Sequence, residues 1–273
     1  MNKENDRTQS ASAQLDTRDA FGPHAGQRLR IISTCTPHAS SQSASSQLAS
    51  SQSALSQLAS KPRAAAIFMH GRGSNAADIL TLVPRFIDLA VPTNHFTSST
   101  SDPLRDFLFI APEAANNSWY PQSFLSPLSI NQRGIDSAHA VIESLIAQLA
   151  TQGVDSSHIA LIGFSQGACL VTDHACRFPR RYGAILAFTG GLIGPPATIF
   201  PASGSLDSTP IFLGTNDPDP HIPLARVHET AAHLRSMGAE VELKIYPGMP
   251  HAVLDDEIQR GSALLARIAN LEL

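Results

Sequence analysis

The sequence is poor in charge, in cysteine and in long apolar runs, and each shortage argues against a class of protein. Charged residues fill 15% of the 273 positions and the formal net charge is −4. That balance offers no basic face for nucleic acid and mildly disfavours an anionic membrane surface. Three cysteines occur (Cys35, Cys169 and Cys176), an odd number without metal-ligand spacing, which argues against a disulfide framework or a metal site and suits a reducing cytoplasm. No run approaches the roughly 18 apolar residues that cross a bilayer. The polar start, MNKENDRTQSASAQLD, lacks the apolar stretch of a secretory signal. The expectation is a soluble, cytoplasmic protein with no stable membrane insertion, no nucleic-acid partner, no cofactor and no metal. A homodimer is left open.

What is present is apolar and punctuated. Hydrophobic residues at 42% can fill a sizeable core. The first part of the chain reads differently from the rest. Residues 1–26 are polar and turn-rich, and one strand candidate follows at 28–33. SSQSASSQLA at 40–49 is then repeated with one change as SSQSALSQLA at 50–59. Such a tract buries too little apolar surface to offset its ordering entropy, so 1–61 reads as a largely flexible extension with a duplicated linker. Removing 1–26 and 40–59 is expected to leave activity nearly intact.

From position 62 to 273 short apolar runs alternate with helical periodicity. Strands are expected at 64–69, 106–111, 158–164, 183–188, 210–214 and 240–246, and helices around 76–90, 135–151, 166–177, 223–237 and 253–271. The alternation predicts an α/β domain, a mainly parallel sheet covered by helices on both faces. Two connections are long: 91–105, a polar insertion, and 112–134, which carries Trp119, Tyr120 and Phe124.

Gly163-Phe164-Ser165-Gln166-Gly167 matches G-x-S-x-G, with an expected strand before it and an expected helix after it. Glycines on both sides let the backbone turn sharply and pack closely while Ser165 projects from the sheet edge. A serine hydroxyl needs a base to take its proton. His251 is the candidate, because it sits in a Pro/Gly loop directly after the last expected strand. An aspartate must then orient the imidazole. Asp217 and Asp219 both follow the strand at 210–214; Asp217 is preferred, with Asp219 as the alternative. Backbone N–H groups of Gln166 and of Arg72, in the loop His70-Gly71-Arg72-Gly73-Ser74, are the expected oxyanion donors, and His70 is expected to brace that loop. Trp119, Tyr120, Phe124 and Leu192 are candidates for lining a substrate pocket. Cys169 and Cys176 read as core filler.

Five segments, FMHGRGSNAADIL, APEAANNSWYPQSFL, GFSQGACL, FTGGLIGP and IYPGMPHAVLDDEI, resemble the phospholipase/carboxylesterase family, which includes acyl-protein thioesterases and lysophospholipase-like esterases. The resemblance implies an α/β-hydrolase fold without a large cap domain and hydrolysis of a small-molecule ester or thioester through an acyl-enzyme. Carried over by position, it makes Ser165 the nucleophile, His251 the base, and Arg72 and Gln166 the oxyanion donors. Arg72 stands where familiar thioesterase members carry an apolar residue, so the expected substrates are carboxylic esters with short to medium acyl groups. Lysophospholipase or acyl thioesterase activity, or a catalytically silent binding protein, are the alternatives.

Overall fold

In a computed structural model, the described residues are 9–14, 22–24, 28–34, 61–90 and 104–271. The repeat at 40–59 and most of the 91–105 insertion lie outside them. Eight strands form one sheet: β1 (Gln9–Gln14), β2 (Arg28–Ser33), β3 (Ala64–Met69), β4 (Phe107–Pro112), β5 (Ile159–Phe164), β6 (Ala184–Phe188), β7 (Pro210–Asp217) and β8 (Glu240–Pro247). Their order is β1-β2-β4-β3-β5-β6-β7-β8. From β4 to β8 every pairing is parallel, while β1 and β2 join antiparallel at one edge.

Alternation along each central strand divides the core in two. Ala65, Ile67 and Met69 of β3 enter the apolar cluster on one face, and Ala64, Ala66 and Phe68 enter the cluster on the other. The first face is covered by α3 (Leu128–Thr151), α4 (Gln166–Arg177) and α5 (Leu224–Ser236). The second is covered by α1 (Ala76–Leu80), α2 (Val83–Ala90) and α6 (Asp255–Ala269). Strands buried on both sides must be apolar almost throughout, and β3 and β4 are buried at every position. At the far edge β8 alternates instead, with Glu240, Glu242 and Lys244 outward.

Three elements depart from the sequence expectation. The helix at 76–90 is two helices, since in a continuous helix the Pro84 ring would collide with the Leu80 carbonyl. α3 begins at Leu128, behind Pro127, so the loop before it is shorter than 112–134. The N-terminal extension is not wholly separate: β2 pairs with β4, and His24 is buried against Trp119 with ring centroids 5.2 Å apart.

Between α3 and α4 the packing is polar. Asp173 accepts from His139 Nε2 at 2.9 Å and from Arg177 Nε at 2.6 Å, and the His139 and His174 Nδ1 atoms lie 3.1 Å apart. Glu143 faces His174 at 3.1 Å and Arg180 at 2.7 Å. These contacts anchor the C-terminal half of α4, the helix whose first turn follows Ser165.

Candidate active site

Parallel strands deliver their C-terminal ends to one edge of the sheet, where such folds place their ligands. There β3 ends in the 70–74 loop, β5 in Ser165, β7 in the 217–222 loop and β8 in the His251 loop. Ser165 occupies the turn from β5 into α4 with φ 53° and ψ −114°, a conformation unusual for a residue with a side chain. Crowding explains the flanking glycines. A Cβ on Gly163 would sit 2.3 Å from the Gly167 carbonyl oxygen, and one on Gly167 would sit 1.9 Å from that of Met69.

His251 connects the serine to a carboxylate. Its Nε2 is 2.9 Å from Ser165 Oγ and its Nδ1 is 2.7 Å from Asp219 Oδ2. The preference for Asp217 is therefore corrected in favour of Asp219. β7 runs on to Asp217, which stays in register with Pro247 and whose carbonyl accepts from Gly248 N–H at 2.8 Å. Only beyond the ladder is the chain free to turn toward the histidine. The Asp219 side chain is fully enclosed, and its Oδ1 also accepts from the backbone N–H groups of His221 and Ile222 at 2.8 and 2.9 Å. Burial works against its charge, but the hydrogen bonds from His251, His221 and Ile222 prevail and hold its pKa below the ordinary aspartate value.

Gln166 and Arg72 flank Ser165, and among the described residues neither backbone N–H has an acceptor. Their side chains grip one and the same loop. Gln166 Oε1 accepts from Trp119 N–H at 2.9 Å while Nε2 donates to the Tyr120 carbonyl at 2.8 Å. Arg72 donates to Ser118 Oγ, to the Pro121 carbonyl and to the Gln122 carbonyl at 3.0, 2.8 and 2.6 Å. His70 lies behind them. Its Nδ1–H donates to the Gly71 carbonyl at 2.8 Å and its Nε2 accepts from Ala114 N–H at 3.0 Å, which requires a neutral ring. Burial lowers its pKa in the same sense.

The cavity in front of Ser165 measures about 680 Å³. Of the four pocket candidates, Tyr120 and Phe124 line it and the other two do not. Trp119 is fully buried behind the 70–74 loop, where its indole N–H donates to the His70 carbonyl at 2.9 Å. Leu192 is turned into the core, its N–H bonded to Thr230 Oγ1 and its carbonyl to the buried Arg226. Three contributors were not foreseen in their present roles. Ile222 and His221 line the cavity, with the His221 ring edge-on to His251 at 5.1 Å. Asn216 Nδ2 donates to the Pro250 carbonyl and so secures the loop that carries His251. No periodicity marks such residues, since each acts through a contact distant in sequence. Cys169 also lines the cavity, but burial pushes its thiol up to about 12, which disfavours the reactive thiolate.

Among the described residues no cluster of His, Cys, Asp and Glu could hold a metal, and no helix is long and apolar enough to cross a membrane. Residues 51–267 match the family described as Phospholipase/Carboxylesterase. Acyl-protein thioesterase 1 of Eremothecium gossypii is 29% identical over 214 residues, 71% of this chain and 85% of that protein. A probable carboxylesterase of Oryza sativa subsp. japonica is 24% identical over 186 residues, 58% of this chain and 68% of its own. A crystal structure of a phospholipase/carboxylesterase from Dyadobacter fermentans superposes with TM-score 0.69 at 36% identity, covering 89% of this chain and 97% of that one. A match over most of the length, on a sheet that brings the family's motifs to one edge, establishes that this chain belongs to the phospholipase/carboxylesterase family.

Proposed function

We propose that the chain is a serine esterase that cleaves carboxylic esters of short to medium acyl length through an acyl-enzyme. The observation that carries the reading is His251, held between Ser165 Oγ at 2.9 Å and Asp219 Oδ2 at 2.7 Å. Asp219 fixes the Nδ1–H tautomer, leaving Nε2 with a lone pair toward the serine hydroxyl. Ser165 Oγ attacks the ester carbonyl as its proton passes to Nε2. The Arg72 and Gln166 amides receive the negative oxygen, each donor of this kind contributing about 3–4 kcal/mol. When the C–O bond breaks, the imidazolium returns that proton to the departing alkoxide. Water, deprotonated by the same nitrogen, then releases the acid and restores Ser165. A cavity of about 680 Å³ is within the usual range for small-molecule sites.

Thioesters suit the same machinery, and the thioesterase named among the relatives makes them the second reading. A fluorophosphonate probe should label wild-type protein and spare Ser165→Ala; equal labelling of both would refute the assignment. With p-nitrophenyl esters of rising chain length, kcat/KM should peak at short to medium acyl groups. A rate still climbing through long chains would overturn the size preference.

A further inference from the structure

The protein is acidic overall, with a net charge of −4, yet among the described residues no carboxylate lines the cavity in front of Ser165. Its wall carries one permanent cation, Arg72, together with the imidazoles of His221 and His251. Among the described residues two aspartates bond to residues of this wall, and neither pairs with Arg72. Asp219 is enclosed behind His251, and Asp78 is bonded by Ser74 Oγ and Asn75 Nδ2 at 3.1 and 2.9 Å at the start of α1.

All three hydrogen-bond acceptors of Arg72 are neutral: one hydroxyl and two backbone carbonyls. The ring of Tyr120 adds a cation–π contact with its centroid 5.8 Å away. Among the described residues no carboxylate pairs with this guanidinium. The three bonds use two hydrogens of Nη1 and one of Nη2, so among the described residues a second Nη2 hydrogen and the Nε hydrogen have no acceptor. The result is a cation fixed in orientation, exposed at the cavity wall and not neutralised. A guanidinium with spare donors matches a carboxylate in geometry as well as in charge. Holding it in place beforehand removes the ordering cost that a mobile surface arginine would bring to such a contact.

We propose that Arg72 selects esters that carry a second, ionised carboxylate, so that the preferred substrates are half-esters of dicarboxylic acids or esters of carboxylate-bearing alcohols. Hydrolysis of a half-ester consumes one water, breaks the acyl C–O bond and yields a dicarboxylate and an alcohol. In the alcohol-borne case the carboxylate leaves with the product alcohol. This selectivity rests on the serine-esterase reading, and the test separates the two.

Paired substrates differing in one group supply that test. Mono-4-nitrophenyl adipate against 4-nitrophenyl hexanoate places the carboxylate on the acyl side. 4-Carboxyphenyl butyrate against 4-carbamoylphenyl butyrate places it on the alcohol side. In wild-type protein one pair should favour the charged member by about 10- to 100-fold in kcat/KM, the scale expected of one unscreened ion pair in a partly enclosed site. Raising ionic strength from about 0.02 M to about 0.5 M should shrink that ratio several-fold. Arg72→Gln should bring it near unity, and Arg72→Lys should keep part of it. The ratio is taken within each variant, so a general loss of activity from a loosened 118–122 loop does not enter it. A wild-type ratio at or below unity in both pairs refutes the proposal, as does a ratio that survives Arg72→Gln. Absence of hydrolysis of all four esters and of fluorophosphonate labelling would instead remove the esterase reading itself.

Discussion

Replacing Asp219 by Asn should nearly silence the protein, and the size of the loss follows from what surrounds the carboxylate. Oδ1 accepts two backbone N–H groups, those of His221 and Ile222, while Oδ2 accepts from His251. An asparagine must keep its carbonyl oxygen toward the two backbone donors, because its NH2 group would clash with them. The NH2 group then faces His251 Nδ1 as a donor. The imidazole can answer only by placing its hydrogen on Nε2, which presents N–H rather than a lone pair to Ser165 Oγ. A triad histidine locked in the wrong tautomer costs on the order of 10⁴-fold in turnover, or about 5 kcal/mol of barrier. Asp217→Asn leaves that geometry untouched and should stay within about threefold of wild type, as expected of a substitution outside core and site. Steady-state hydrolysis of p-nitrophenyl butyrate measures both, with thermal unfolding to confirm that each variant folds. Turnover within tenfold of wild type for Asp219→Asn, or a larger loss at Asp217, would exclude Asp219 as the orienting carboxylate.

Three further outcomes concern folding. Gly167→Ala puts a Cβ 1.9 Å from the Met69 carbonyl oxygen and should prevent stable folding; a soluble variant with wild-type melting temperature would contradict the close approach of α4 to β3. Glu257 is buried; among the described residues its Oε2 is bonded only to Leu254 N–H and its Oε1 has no partner, and burial raises its pKa from 4.5 to about 7. Its stabilising contribution is therefore present below pH 4.5 and lost as pH rises through 7. Glu257→Gln should thus be more stable than wild type by up to about 3 kcal/mol at pH 8 and show little gain at pH 4.5; an equal difference by urea unfolding at both values would sink this account. Deleting residues 1–26 removes His24, which accepts from Ala115 N–H at 3.1 Å and donates to the Trp119 carbonyl at 2.7 Å. The deletion should lower stability by about 2–4 kcal/mol, and an unchanged melting temperature would refute this contribution of His24.

Much of the architecture was open to reading along the chain because it is encoded locally. Apolar runs of strand length and the glycines around Ser165 predict the layers and the nucleophile, and the bounds of α4 match the expected 166–177. The His251 loop was legible for the same reason, since proline and glycine end β8 directly ahead of it. The composition of 1–26 carries no such local code. It says nothing of His24, whose burial depends on Trp119, 95 positions away.

An α/β sheet with a serine and a histidine at one edge was thus readable from local sequence. The remaining parts of the candidate site depend on the closed fold. Asp217 and Asp219 are chemically identical and two residues apart, and what separates them is the register of β7 against β8. That ladder holds Asp217 in the sheet and releases Asp219 to His251. Trp119 and Leu192 were sorted from Tyr120 and Phe124 in the same way, by which hydrogen bonds turn them into the core or leave them facing the cavity. Strands and turns follow from neighbours in sequence, whereas a catalytic triad and a pocket wall depend on pairings that only the closed fold creates.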